Sequence, residues 1–134
     1  MIHVKVEIKG ESDTAPFTRI FEYGNNNEMI FFNSVDMIKE KLSKNMKINA
    51  NEALIVFCAC VISELRARKF KNSIEMNASK VLRRDQVMIG VPETLKKITF
   101  EVTVDNLPKT IITFVEPIPT SNYMLITNSQ EMNS

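Results

Sequence analysis

Ten consecutive apolar residues, Ala53 to Ile62, constrain this chain more than any other segment. Asn49 and Asn51 just before the run offer N-cap side chains, and Glu64, Arg66, Arg68 and Lys69 follow it. The spacing predicts a helix from one of those asparagines to about Arg68. A helix that is apolar on every side has no face to give to water and belongs at the centre of a core. The run is about half the ~20 residues a helix needs to cross a bilayer, so it is read as a core element and not as a span.

A buried helix needs partners, and the flanking sequence supplies them. Ile2, Val4, Val6 and Ile8 alternate with His3, Lys5, Glu7 and Lys9, the period of a half-buried strand. After the polar stretch Gly10 to Pro16, Phe17 to Tyr23 is a second β-prone run, so residues 2–23 are expected to form a hairpin. Gly24-Asn25-Asn26-Asn27 breaks the pattern and offers a helix start. From there to Asn45, Phe31, Val35, Ile38 and Leu42 follow helical spacing. A third helix is expected from Asn72 or Ser73 to Leu82 or Arg83. Ile98, Phe100, Val102 and Val104 alternate as a strand, Asp105-Asn106-Leu107-Pro108 is turn chemistry, and Thr110 to Val115 returns as a strand. The expected architecture is α+β: a three-helix bundle packed with a C-terminal antiparallel β-hairpin, plus an extra N-terminal β-hairpin. Residues 1–21 are an N-terminal β extension of the same domain, 22–118 the main body, and 119–134 a polar C-terminal tail. The hairpin of residues 2–23 is expected to join or extend the sheet formed by residues 97–116, because a lone two-stranded hairpin is marginal in water.

Charge and cysteine use narrow the function classes. Seventeen basic and sixteen acidic side chains among 134 residues leave a net charge of +1, which argues against nucleic-acid binding through bulk charge. Both cysteines, Cys58 and Cys60, lie inside the apolar run, two positions apart on a helix and therefore unable to close a disulfide readily. Reduced core thiols imply a cytoplasmic protein.

The search for catalytic chemistry is empty. His3 is the one histidine and shares a strand face with Lys5 and Glu7, too little for a metal site or an acid–base pair. The two thiols sit among Val56, Phe57, Ala59 and Val61, with none of the electropositive, accessible surroundings a nucleophilic thiolate needs. No phosphate-cradling or nucleophile-elbow glycine motif occurs. The expectation is that no catalytic residue, no metal ligand and no cofactor site lies in this chain. One basic cluster, Arg66, Arg68, Lys69 and Lys71, is the alternative site. It is either a phosphate-gripping patch or a helix C-terminus whose cations favour the macrodipole.

The segment Val87-Met88-Ile89-Gly90-Val91-Pro92-Glu93 resembles a signature of the urease gamma subunit family, roughly V-M-x-G-V-P-E. Three further landmarks agree in order. Val81-Leu82-Arg83-Arg84-Asp85 resembles a V-L-x-R-D lead-in. Lys47-Ile48-Asn49 with Glu52-Ala53 resembles a K-L-N-x-x-E-A step, and Glu116-Pro117-Ile118 resembles the closing Pro-Ile. The landmarks span residues 22–118. The resemblance implies a small helical bundle with a C-terminal hairpin, which packs beside urease beta and nickel-containing alpha chains in a threefold assembly that hydrolyses urea. The nickel and the catalytic groups then belong to the alpha chain. Self-association is a further expectation, nucleic acid a lesser one, and no membrane contact is expected. Two departures stand out: the added N-terminal strands, and Arg66 to Lys71 where the family carries a glycine-containing loop. A stand-alone interaction module that uses the added strands as its binding edge is the competing reading.

The corner at Gly90-Val91-Pro92 is where function is expected to reside. A glycine before Val-Pro can take the positive φ that ends a helix, and the residue before proline is pushed out of the helical region. The corner either closes the domain, or presents Val87, Met88, Gly90, Val91, Pro92 and Glu93 to a partner subunit.

Overall fold

The computed structural model describes residues 1–11 and 16–119 of the chain, and the helix expected from the apolar run is its central element. Helix Ala50–Arg66 starts where its cap chemistry dictates. The Asn49 side chain accepts the Glu52 N–H at 2.8 Å, while the Glu52 carboxylate accepts the Asn49 N–H at 3.1 Å. This reciprocal pair satisfies donors that the first turn otherwise leaves unpaired.

In chain order the elements are β1 (Ile2–Lys9), β2 (Phe17–Tyr23), α1 (Glu28–Ser43), α2 (Ala50–Arg66), the short α3 (Lys71–Met76), the single-turn α4 (Val91–Thr94), β3 (Lys97–Val104) and β4 (Thr110–Val115). The strands form one antiparallel sheet in the order β2-β1-β3-β4. The architecture is α+β, as the sequence pattern implies. The N-terminal hairpin is part of this sheet, and β1 is an inner strand paired on both sides. Its register sets Ile2, Val4, Val6 and Ile8 opposite Val104, Val102, Phe100 and Ile98, so one continuous apolar face looks at the helices. On the outer face Lys5 stands opposite Glu101, an opposite-charge cross-strand pair.

Aromatic contacts join the two layers. Phe57 of α2 meets Phe114 of β4 edge to face at 5.7 Å, and Phe100 lies 5.2 Å from Phe114. Phe31 of α1 packs on Phe21 at 5.9 Å and on Tyr23 at 5.5 Å, which sets α1 over β2.

The third helix is shorter than its spacing predicts. It ends at Met76 with Asn77 as C-cap, and the chain tightens into a 3-10 turn over Ala78–Lys80. Ile74, Ala78 and Leu82 nevertheless all point into the core, four residues apart. Hydrophobic spacing reports which side is buried; whether the helical hydrogen bonds continue depends on residues such as Asn77 and Ser79, which compete with the backbone. From residue 120 on, the expected tail lies outside the described residues, as do residues 12–15 of the turn between β1 and β2.

Candidate functional site

The corner forms where the α1–α2 connection meets the segment that leads into α4. Ile48 and Val87 form a single parallel bridge: the Ile48 N–H donates to the Gln86 carbonyl at 3.0 Å and the Met88 N–H to the Ile48 carbonyl at 2.8 Å. Gly90 then takes φ +93°, a left-handed conformation costly for any residue with a Cβ, and serves as N-cap of α4. Pro92 sits in the first turn of α4, where its missing N–H has no helical acceptor to lose. Thr94 closes the turn, with its N–H and hydroxyl both donating to the Gly90 carbonyl, at 3.0 and 2.9 Å.

This geometry divides the corner. Val87 and Val91 are 1% and 4% exposed and Pro92 is buried, so these three side chains pack inward within this chain. Of the two readings of the corner, closing the domain is the one that Val87 and Val91 serve within this chain: the parallel bridge turns Val87 into the core, and α4 turns Val91 the same way. Met88, at 45% exposure, does face outward, and Ile89 beside it is 94% exposed. Met46, two residues before the bridge, is half exposed as well. The sequence signature passes over Ile89 as a variable position. The signal that could have found it is its place immediately before the left-handed glycine, where a turn pushes a side chain outward. Glu93 is half-buried, its carbonyl accepts the Glu11 N–H at 2.8 Å, and its carboxylate Oε2 is closed off from solvent with no hydrogen-bond partner among the described residues.

The basic cluster is also divided. Arg66 grips Asp105 through two parallel hydrogen bonds, Nε to Oδ2 and Nη2 to Oδ1, both 3.0 Å, and also bonds to Glu28. The Met1 amino group adds donors to the same two carboxylates. Arg66 is therefore committed to tying the α2 C-terminus to α1 and to the β3–β4 turn. Arg68, Lys69 and Lys71 remain exposed, with no ion pair among the described residues. The hydrogen bonds from Arg66 hold the Glu28 and Asp105 carboxyls below the usual carboxylate range. A depressed carboxylate contributes stability that is present above its unfolded pKa and lost as pH falls through its folded value. Arg66→Gln is thus expected to lower the melting temperature at neutral pH by about 5 °C. The gap from the wild type should narrow as pH falls below the ordinary carboxylate value of about 4 and close only once pH has passed the lowered values these two carboxyls have in the folded chain. A gap that persists unchanged into strong acid would show that Arg66 acts through packing.

The thiols offer no nucleophile. Burial pushes Cys58 up to about 12. Cys60 is raised by burial and by the nearby Glu64 carboxylate. Cys60 is not a core residue as its spacing suggests; it borders a groove of about 440 Å³ together with Phe32, Asp36, Lys39 and Ser63. Both are free cysteines, and a raised pKa withholds the thiolate on which cysteine chemistry depends. His3 lies on the outer face of the sheet, its Nδ1 3.4 Å from the Glu22 carboxylate. Among the described residues no group of three or more His, Cys, Asp or Glu side chains is placed to hold a metal ion, and no helix is long and apolar enough to cross a membrane.

Residues 22–118 match the family described as "Urease, gamma subunit". The chain belongs to the urease gamma subunit family. It is 29% identical over 91 residues to the urease subunit gamma of Halalkalibacterium halodurans, an alignment that covers 68% of this chain and 90% of that protein. The family segment takes in α1, α2, the corner and the β3–β4 hairpin, whereas β1 and all of β2 except Glu22 and Tyr23 lie before it. This gamma-family chain thus carries the family segment with two strands added at the edge of its sheet, and β1 inserted against β3.

Proposed function

We propose that this chain is a non-catalytic structural subunit of a urease-type nickel amidohydrolase complex, supporting urea hydrolysis carried out by a separate alpha chain. The observation that carries the reading is the family match over residues 22–118, a range that includes the Val87–Glu93 corner. In this reading Met88 and Ile89 are the apolar side chains that assembly removes from water, while Val87, Val91 and Pro92 hold the corner rigid from inside. Rigid presentation keeps the ordering cost of binding low. Alpha and beta chains are the partners, in a threefold, cytoplasmic assembly, and the nickel sits in the alpha chain. In support, no group of three or more His, Cys, Asp or Glu side chains among the described residues is placed to hold a metal, short of the three or four ligands a tight site needs.

The purified chain alone is accordingly expected to hydrolyse no urea and to retain no stoichiometric nickel or zinc after dialysis. Elemental analysis that finds about one metal per chain would overturn this assignment of roles. A stand-alone interaction module is the second reading, favoured by the added strands that lie before the family segment. Nucleic-acid binding is left with Arg68, Lys69 and Lys71, since Arg66 is engaged elsewhere.

A further inference from the structure

The two edges of the sheet are treated differently. At β4 the Glu75 carboxylate of α3 accepts the Thr113 N–H at 2.7 Å, and α3 packs along that strand. At the other edge no described strand lies beyond β2. Every second backbone N–H and C=O pair of Phe17–Tyr23 therefore points away from β1, a template for a further strand. The strand is seven residues long, contains no proline, and exposes Phe17 at 47% and Ile20 at 59%.

We infer that β2 pairs antiparallel with β2 of a second copy of this chain, joining the two sheets into one continuous sheet across a two-fold axis. The strand's own sequence selects this occupant. In such a pairing the core-facing sides of both sheets stay on the same side, so Phe17, Arg19, Phe21 and Tyr23 can oppose only one another. A register centred on Ile20 uses the whole strand. Ile20 meets its counterpart, Arg19 meets Phe21, Thr18 meets Glu22, and Phe17 meets Tyr23. No like charges are opposed, and the Arg19–Phe21 match repeats a cation–π contact already present within the chain at 5.3 Å. Moving the centre to Arg19 or to Glu22 sets two like charges directly opposite each other. Moving it to Phe21 shortens the ladder and sets Ile20 against Glu22.

The helix above this edge agrees. Phe32 and Asp36 face the groove beside α2, and α2 lies over the inner strand β3. Ile30 and Met37, seven residues apart on the flank of α1 opposite that groove, are exposed. In the two-fold arrangement this flank faces its own copy above the strand seam.

Sedimentation velocity over a concentration series on the full chain tests the pairing. The wild type is expected to form a dimer. Ile20→Lys should weaken it at least about tenfold with an unchanged melting temperature, because Ile20 is exposed in the monomer and its replacement sets two cations opposite each other. In a Cys60→Ser background, Ile20→Cys should cross-link to a dimer on mild oxidation, whereas Glu22→Cys should not, since the register sets Glu22 against Thr18. A wild type that stays monomeric at every concentration overturns the pairing, as does an Ile20→Lys dimer as tight as the wild type. A dimer seen only after removal of residues 120–134 would assign the edge to that segment and overturn it too. Ile20 lies outside the family segment, so failure here leaves the subunit reading standing.

Discussion

Removing residues 1–21 is expected to leave a chain with no cooperative thermal transition. The hairpin could be taken for an appendage, because the urease gamma family segment begins only at residue 22. The sheet order says otherwise, since β1 sits between β2 and β3. The deletion takes away Ile2, Val4, Val6 and Ile8, each fully buried, together with Phe21. A fully buried aliphatic or aromatic side chain contributes about 1.5–3 kcal/mol, so the loss is comparable to the ~5–15 kcal/mol that holds a domain together. It also bares the β3 backbone edge and the inward faces of Phe100 and Val102, a surface prone to aggregation. Circular dichroism melts of the truncated chain check this; a sharp transition near that of the full chain would mean that 22–118 closes its own core.

The second large effect separates two neighbours at the corner. Val91→Asp is expected to unfold the isolated chain, because it sets an unpaired charge in a site only 4% exposed, at a cost of several kcal/mol. Ile89→Asp, one residue before Gly90, should leave the melting temperature nearly unchanged, since that side chain stands in solvent. Its expected effect is on assembly: loss of a central apolar anchor weakens an interface by roughly 2 kcal/mol, about thirtyfold in affinity. If Ile89→Asp assembles as well as the wild type, the exposed half of the corner is not the contact surface.

Local pattern carried much of this fold into view. The alternation in residues 2–8 and 98–104 marked β1 and β3, and the ten-residue apolar run with its Asn49 and Glu52 cap marked α2. What the sequence hides is long-range. Nothing local says that Ile2 pairs with Val104, placing the first strand inside the sheet. The Arg66–Asp105 and Arg66–Glu28 bonds join residues 39 and 38 positions apart, so Arg66 looked like one cation of a patch. At the corner, the motif fixed the chain's turn at Gly90 but not which side of it faces out. That depended on the Ile48–Val87 bridge, formed with a segment some forty residues earlier.

The central claim, that this gamma-family chain serves a catalytic partner, is tested most directly by native affinity purification of the tagged full chain from its own cells, with mass spectrometry and a urea-hydrolysis assay on the same eluate. A large nickel-containing amidohydrolase chain that co-purifies in fixed proportion, with urea-hydrolysing activity in the complex and none in the separated chain, is the result the account predicts. Recovery of the tagged chain without any such partner, or urea hydrolysis by the chain alone, would contradict it.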